Sequence, residues 1–161
     1  NNRLPTGCEA PFRFIPLGWR KIMVGFVNEH GKCYAGKHLL VDLYDCQRIP
    51  EHQAIESIMQ QACIATGATV VFHHSHPFPG GGSSGVVILA ESHGTWHSWT
   101  EEQFVAVDIF VCGDCDPRLA IDILLDFFLP ATYTTKLEKR GKRSLQKTKS
   151  FRLSTSSLEA A

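Results

Sequence analysis

A carboxylate, a hydroxyl and two imidazoles follow directly on a run of apolar residues: Val86 to Ala90 lead into Glu91, Ser92 and His93, with His97 close behind. These are the groups that nucleophilic and acid–base chemistry uses. A short apolar run followed by Gly94 reads as a buried strand that breaks off at a bend and delivers all four side chains to one place. Each also has a plainer reading. Glu91 can be a polar cap where a strand surfaces, His97 a surface histidine, Trp96 and Trp99 core filler, and Cys112 a structural thiol.

Two glycine motifs and one metal pattern compete for attention. Gly80, Gly82 and Gly85 fit the dinucleotide pattern G-x-G-x-x-G, and Gly81, Ser83 and Gly85 fit G-x-S-x-G. Both patterns require a helix after the glycines, to hold a phosphate or a nucleophile, whereas here a strand follows. A flexible turn is the better reading. Cys112 and Cys115 with His73, His74 and His76 offer zinc-ligand types. Solvated histidines and a cysteine at a strand end explain them as well, and no metal is assigned.

The elements that must position these groups are legible by period. His38 to Tyr44 alternates, with Leu39, Val41 and Leu43 on one face. Pro50 precedes a helical stripe of Ile55, Ile58, Met59 and Ala62 that Gly67 closes. A short strand at Thr69 to Phe72 and a loop over residues 73–85 lead into the central strand. Phe104 to Cys112 alternates again, with Val105, Val107, Ile109 and Val111 inward and Asp108 and Cys112 on the other face. Asp116 and Pro117 cap a second helix carrying Ala120, Ile121, Leu124 and Phe128, and a last strand runs from Thr132 to Leu137. Val41 to Cys46 resembles Val107 to Cys112, and each is followed by a proline, a helix and a strand. The expected fold is therefore α+β, a two-layer α/β sandwich of mainly antiparallel sheet with helices on one face and an internal β-α-β duplication. The other face, bearing Asp42, Asp108 and Cys112, is left for a site or a partner sheet.

The 161 residues suit one domain with tails. Residues 1–36 read as an arm of uncertain order, 37–139 as the domain and 140–161 as a basic, disordered tail. Formal charge is zero in total, yet residues 1–135 sum to −6 and 136–161 to +6. A neutral total argues against a dedicated nucleic-acid binder. No run is long enough to span a membrane. Six scattered cysteines read as reduced thiols, which implies a cytoplasmic protein.

Order and spacing together resemble the bacterial type of the S-adenosylmethionine decarboxylase family. The resemblance rests on Lys37-His38-Leu39-Leu40-Val41-Asp42, the stretch Gly85 to His93, His97-Ser98-Trp99-Thr100-Glu101, and Val107 to Asp114. It implies a proenzyme cut between Glu91 and Ser92: the Ser92 hydroxyl attacks the Glu91 carbonyl, the amide becomes an ester, and elimination with hydrolysis leaves a pyruvoyl group at position 92. That group, with no external cofactor, would form a Schiff base with a small-molecule substrate and serve as electron sink. By family position Ser84 and His97 assist processing, with His97 moving the proton, and Cys112 returns a proton to the decarboxylated carbon. Phe78 stacks on adenine, Glu101 binds ribose hydroxyls, and Asp42 and Asp108 lie behind the site.

The implied activity is decarboxylation of S-adenosylmethionine for spermidine synthesis, by a homodimer of processed two-chain units. Departures from the family pattern are Gly94, Trp96 and Thr100. A bulky Trp96 in the pocket wall would favour ornithine or arginine; alternatively it repacks into the space that Gly94 leaves. An inactive regulatory subunit is a third reading.

Overall fold

The computed structural model describes residues 27–29 and 32–142. Val27–Glu29 (β1) and Lys32–Tyr34 (β2) pair as a small antiparallel ribbon inside the stretch read as an arm. The main sheet is built from Gly36–Cys46 (β3), Val70–Pro77 (β4), Ser83–Leu89 (β5), Ser92–Trp99 (β6), Phe104–Cys112 (β7) and Pro130–Arg140 (β8). Its order is β4-β5-β6-β7-β3-β8, with every neighbouring pair antiparallel. Helix α1 (His52–Ala65) links β3 to β4, and a 3-10 turn at Pro117–Ala120 followed by α2 (Ile121–Phe128) links β7 to β8. The two strand-helix-strand units expected from the repeat are present in this α+β sandwich.

Alternation explains the layering. Leu39, Val41 and Leu43 of β3 and Val105, Val107, Ile109 and Val111 of β7 are buried on one face against Ile55, Met59, Ala62 and Cys63 of α1 and Leu124 and Phe128 of α2. Burying each such aliphatic contributes about 1.5–3 kcal/mol. The interleaved residues His38, Asp108, Phe110 and Cys112 stay on the uncovered face. Gly67 takes φ +90° after α1, as a helix-ending glycine does, and the Asp116 carboxylate caps the 3-10 turn by accepting from Arg118 N at 3.1 Å.

Three expectations need correction. The loop foreseen at residues 73–85 is largely strand, since β4 runs to Pro77 and β5 begins at Ser83. β4 is an edge strand with only Ser75 buried, so its sequence carries no apolar alternation. Second, Gly94 is not a bend: the chain turns at Ala90–Glu91, and residues 92–99 form a full strand. The buried side of β6 consists of Gly94, Trp96 and Ser98, which hides the period. Gly94 serves close packing, because a Cβ there would lie 2.6 Å from Cys63 Sγ of α1. Third, Trp96 does not line a pocket. It is fully buried on the helix-covered face, its ring lies over Gly85, and its Nε1–H donates to Ser83 Oγ at 3.2 Å.

The glycines Gly80, Gly81 and Gly82 all have positive φ and turn the chain between β4 and β5. Neither phosphate nor nucleophile motif precedes a helix. No helix among the described residues is long and apolar enough to cross a membrane.

Candidate functional site

Ser92 opens β6 immediately after a two-residue turn, with Leu89 and Ser92 as register partners. That turn is tied down from both sides. Ala90 N donates to Thr69 O at 2.9 Å, and the Glu91 carboxylate accepts from Thr69 N at 2.8 Å and from the Thr69 hydroxyl at 3.3 Å. On the other side, Cys112 N donates to the Glu91 carbonyl oxygen at 3.3 Å. The peptide bond between Glu91 and Ser92 is thus fixed by its side chain and its carbonyl at once. A backbone N–H on that carbonyl withdraws electron density from its carbon and stabilises negative charge arising on its oxygen. The neighbouring hydroxyl is therefore beside an electrophile.

His93, next in the chain, sits on the uncovered face opposite Phe110, with ring centroids 5.8 Å apart. The Ser92 hydroxyl reaches its Nδ1 at 3.3 Å. Burial holds the His93 pKa below the usual imidazole range, and nearby His38 pushes the same way against the opposing charge of Asp108. His38 in turn donates Nε2–H to Asp108 at 3.2 Å and receives Arg140 at 3.0 Å on Nδ1.

Cys112 is half-buried at the end of β7. Burial, then the charge of Glu91, raises the pKa of its thiol, so it holds its proton at neutral pH. Burial is also the first cause of the raised Cys115 thiol, to which Glu91 adds. Cys46, Cys63, Cys112 and Cys115 are all free thiols. Among the described residues no three His, Cys, Asp or Glu side chains converge as a metal site.

The remaining sequence-predicted residues lie elsewhere. Ser84 and His97 are register partners across β5 and β6, with Ser84 Oγ 2.5 Å from His97 Nδ1. Five residues of extended strand separate His97 from Ser92, roughly 17 Å at ~3.3 Å per residue. The expectation that one chain brings Ser92 and His97 to one place is therefore not met: they occupy opposite ends of one hairpin. Phe78 and Glu101 belong to the His97 end. Phe78 is exposed and meets His76 edge-on at 5.4 Å, and Gly80 lies against the Glu101 carboxylate. A pocket of about 360 Å³ there is lined by Ile49, Pro50, Glu51, His52, Phe78 and Thr100 among others.

One wall of that pocket is anchored by a polar chain. His52 Nδ1 donates to Ser75 Oγ at 2.7 Å, and the Ser75 hydroxyl donates to Glu56, whose other oxygen takes His73. Burial pushes the Glu56 carboxyl up, but the bonds from Ser75 and His73, with the charges of His73 and His74, outweigh it and leave the pKa low. Thr69 and this polar chain went unnoticed in the sequence. Their partners are 17 to 23 positions away, so only strand pairing and helix packing reveal them.

Comparison with known proteins gives the same answer along the chain. Residues 37–141 match the pattern of the S-adenosylmethionine decarboxylase family. The chain is similar to the S-adenosylmethionine decarboxylase proenzyme of Methanococcus aeolicus, 38% identical over 111 residues that cover 67% of this chain and 95% of that protein. It is similar to the proenzyme of the same name from Caldanaerobacter subterraneus, 47% identical over 109 residues, 66% of this chain and 88% of the other. Among solved structures it is similar to the adenosylmethionine decarboxylase of Aquifex aeolicus, with TM-score 0.62 and 27% identity over 72% of this chain and 98% of that one.

Proposed function

The chain belongs to the S-adenosylmethionine decarboxylase family, and from that premise we propose that it is a self-cleaving, pyruvoyl-dependent enzyme that removes the carboxylate of S-adenosylmethionine for polyamine synthesis. The observation that carries this reading is the Glu91–Ser92 bond: it lies at a hairpin turn, its carbonyl bonded by Cys112 N–H and its hydroxyl next door. A turn exposes the bond to attack by its own serine, and the anchors at Thr69 and Cys112 limit the conformations that must be searched.

Cleavage between Glu91 and Ser92 would leave the new N-terminus at the head of β6, beside Cys112. A pyruvoyl group formed there supplies the electron sink for decarboxylation that no protein side chain provides. The surrounding residues suit that group: the Cys112 thiol is held protonated, as a donor to a carbanion must be. Trp96 lies in the core, so the reason to expect a small basic amino acid in place of the adenosyl substrate lapses. Phe78 offers a ring for adenine, and Glu101 a carboxylate for ribose hydroxyls.

A single copy holds the parts about 17 Å apart. We therefore assign the assembly to a homodimer whose uncovered sheet faces meet about a two-fold axis. Such an axis reverses one hairpin against the other and brings Ser84 and His97 of one copy toward Ser92 of its partner. The aromatic row Tyr44, Phe104 and Trp99, with centroid separations of 5.1 and 5.3 Å, and the exposed Ile88 supply apolar surface on that face.

Intact mass tests the reading. Purified protein should contain two polypeptides, residues 1–91 and 92–161, the second with a blocked N-terminus. Ser92→Ala should leave one full-length chain without decarboxylase activity. Normal cleavage in that variant would put the site elsewhere.

A further inference from the structure

We propose that His93 is the base that activates Ser92 for the first step of self-cleavage, while His97, from the partner copy, serves only the later elimination. The inference rests on the self-cleaving reading above and assigns its first step to a residue of the same chain. His93 is the imidazole that reaches the reacting hydroxyl: Ser92 Oγ lies 3.3 Å from its Nδ1, and the hydroxyl donates when the ring carries its proton on Nε2. His97 is turned to Ser84 at the far end of the hairpin.

The surroundings of His93 fit a base. The ring is half-buried, wedged against Phe110 at 5.8 Å and edge-on to His38 at 6.4 Å. The charged and titratable groups facing it are His38 of β3, Asp108 of β7 and Ser92 itself, with Arg140 of β8 behind His38. Both nitrogens of His38 are engaged, by Asp108 and Arg140, so His38 forms a fixed wall that holds the His93 ring in place. Burial and His38 together favour the neutral His93 ring, and its tautomer protonated on Nε2 turns the Nδ1 lone pair toward Ser92.

The step balances within the chain. The Ser92 hydroxyl proton passes to His93 Nδ1 as Oγ bonds to the Glu91 carbonyl carbon, and the carbonyl electron pair moves onto the oxygen that Cys112 N–H holds. The same proton then moves from His93 to the Ser92 nitrogen, the carbon–nitrogen bond breaks, and the amide has become an ester. Neither oxidant nor second reactant is needed.

The test starts from His97→Ala, in which elimination stops and the ester is the end point that hydroxylamine cuts at Glu91. Adding His93→Ala should slow appearance of the hydroxylamine-cleavable chain by about 10²-fold or more, the usual contribution of a positioned base. Imidazole in the buffer should restore part of that rate. His93→Gln keeps a polar side chain of similar reach and should be as slow, so it decides the matter if the alanine variant folds poorly. Ester formation at the parental rate in a folded His93→Gln chain would overturn the proposal. The parental rate should also fall as pH drops through the lowered His93 value, which lies under the ordinary imidazole range. Asp108→Asn removes a charge that raises the His93 pKa, and so should move that fall to lower pH. If the wild-type protein is not cut at all, the self-cleaving reading fails by itself, without any His93 variant.

Discussion

The two ends of the β5–β6 hairpin are built for different tasks. At the turn end, backbone bonds dominate: Thr69 and Cys112 hold the Glu91–Ser92 peptide, and the nearby side chains are half-buried. At the open end, side chains dominate: Ser84 bonds His97 across the strands, and the exposed Phe78 lines a pocket of about 360 Å³. In the proposed function one end has the bond to be broken and the other has the acid–base pair and the binding surface. Polypeptide geometry keeps them roughly 17 Å apart in one copy, which is why the proposed site draws on two copies.

The largest effect should come from mixing two defective chains. Ser92→Ala and His97→Ala should each fail to yield the processed protein alone; coexpressed, mixed dimers would pair an intact Ser92 with an intact His97, and the His97→Ala chains in them should be cut. Mass spectrometry of the mixture reads this directly. Absence of rescue would place both residues in one chain's site and break the comparison.

Next is the core under the open end. Trp96→Ala should cost about 3–5 kcal/mol, because its ring covers Gly85 and its N–H joins Ser83 to the sheet. Thermal denaturation measures the loss, and the open end should loosen more than the turn end in hydrogen exchange. Gly94→Ala should cost about 1–3 kcal/mol by overpacking against Cys63. Removing Cys63 Sγ with Cys63→Ala should recover part of it, measured as a double-mutant cycle.

The smallest effect concerns acid stability. The Glu56 carboxyl titrates lower when folded than unfolded, so its stabilisation is complete above the ordinary glutamate range near pH 4.3 and is lost as pH falls through the lowered value. Glu56→Gln should remove about 1 kcal/mol at neutral pH and flatten the acid limb of the stability profile. Equal acid slopes in the two proteins would show that the chain from His52 to His73 does not brace the pocket wall.

Where an aliphatic face repeats every second residue, as in β3 and β7, the strand was legible directly. The same rule failed for β6, whose buried positions are Gly94, Trp96 and Ser98, and for β4, an edge strand burying only Ser75. Periodicity registers apolar side chains, whereas these strands are held by backbone pairing and by close approach of α1 and the Trp96 ring. The site shows the same split. Residue types and spacings named Ser92, His97 and Cys112, and the family resemblance added Ser84, Phe78 and Glu101, but the sequence placed Ser92 and His97 together when strand geometry holds them apart.

Sequence alone determined the composition of the two layers and the paired strand-helix-strand units and named the candidate reactive groups, since those depend on side-chain type at short range. Tertiary structure decided what touches what. Thr69 on Glu91, Cys112 N–H on the Glu91 carbonyl, His38 beside His93 and Trp96 over Gly85 arise from hydrogen-bonded register and layer packing between segments distant in the chain. Those contacts depend on how six strands align: local pattern sets which face a strand buries, whereas the pairing of strands distant in the chain is decided by the packed whole.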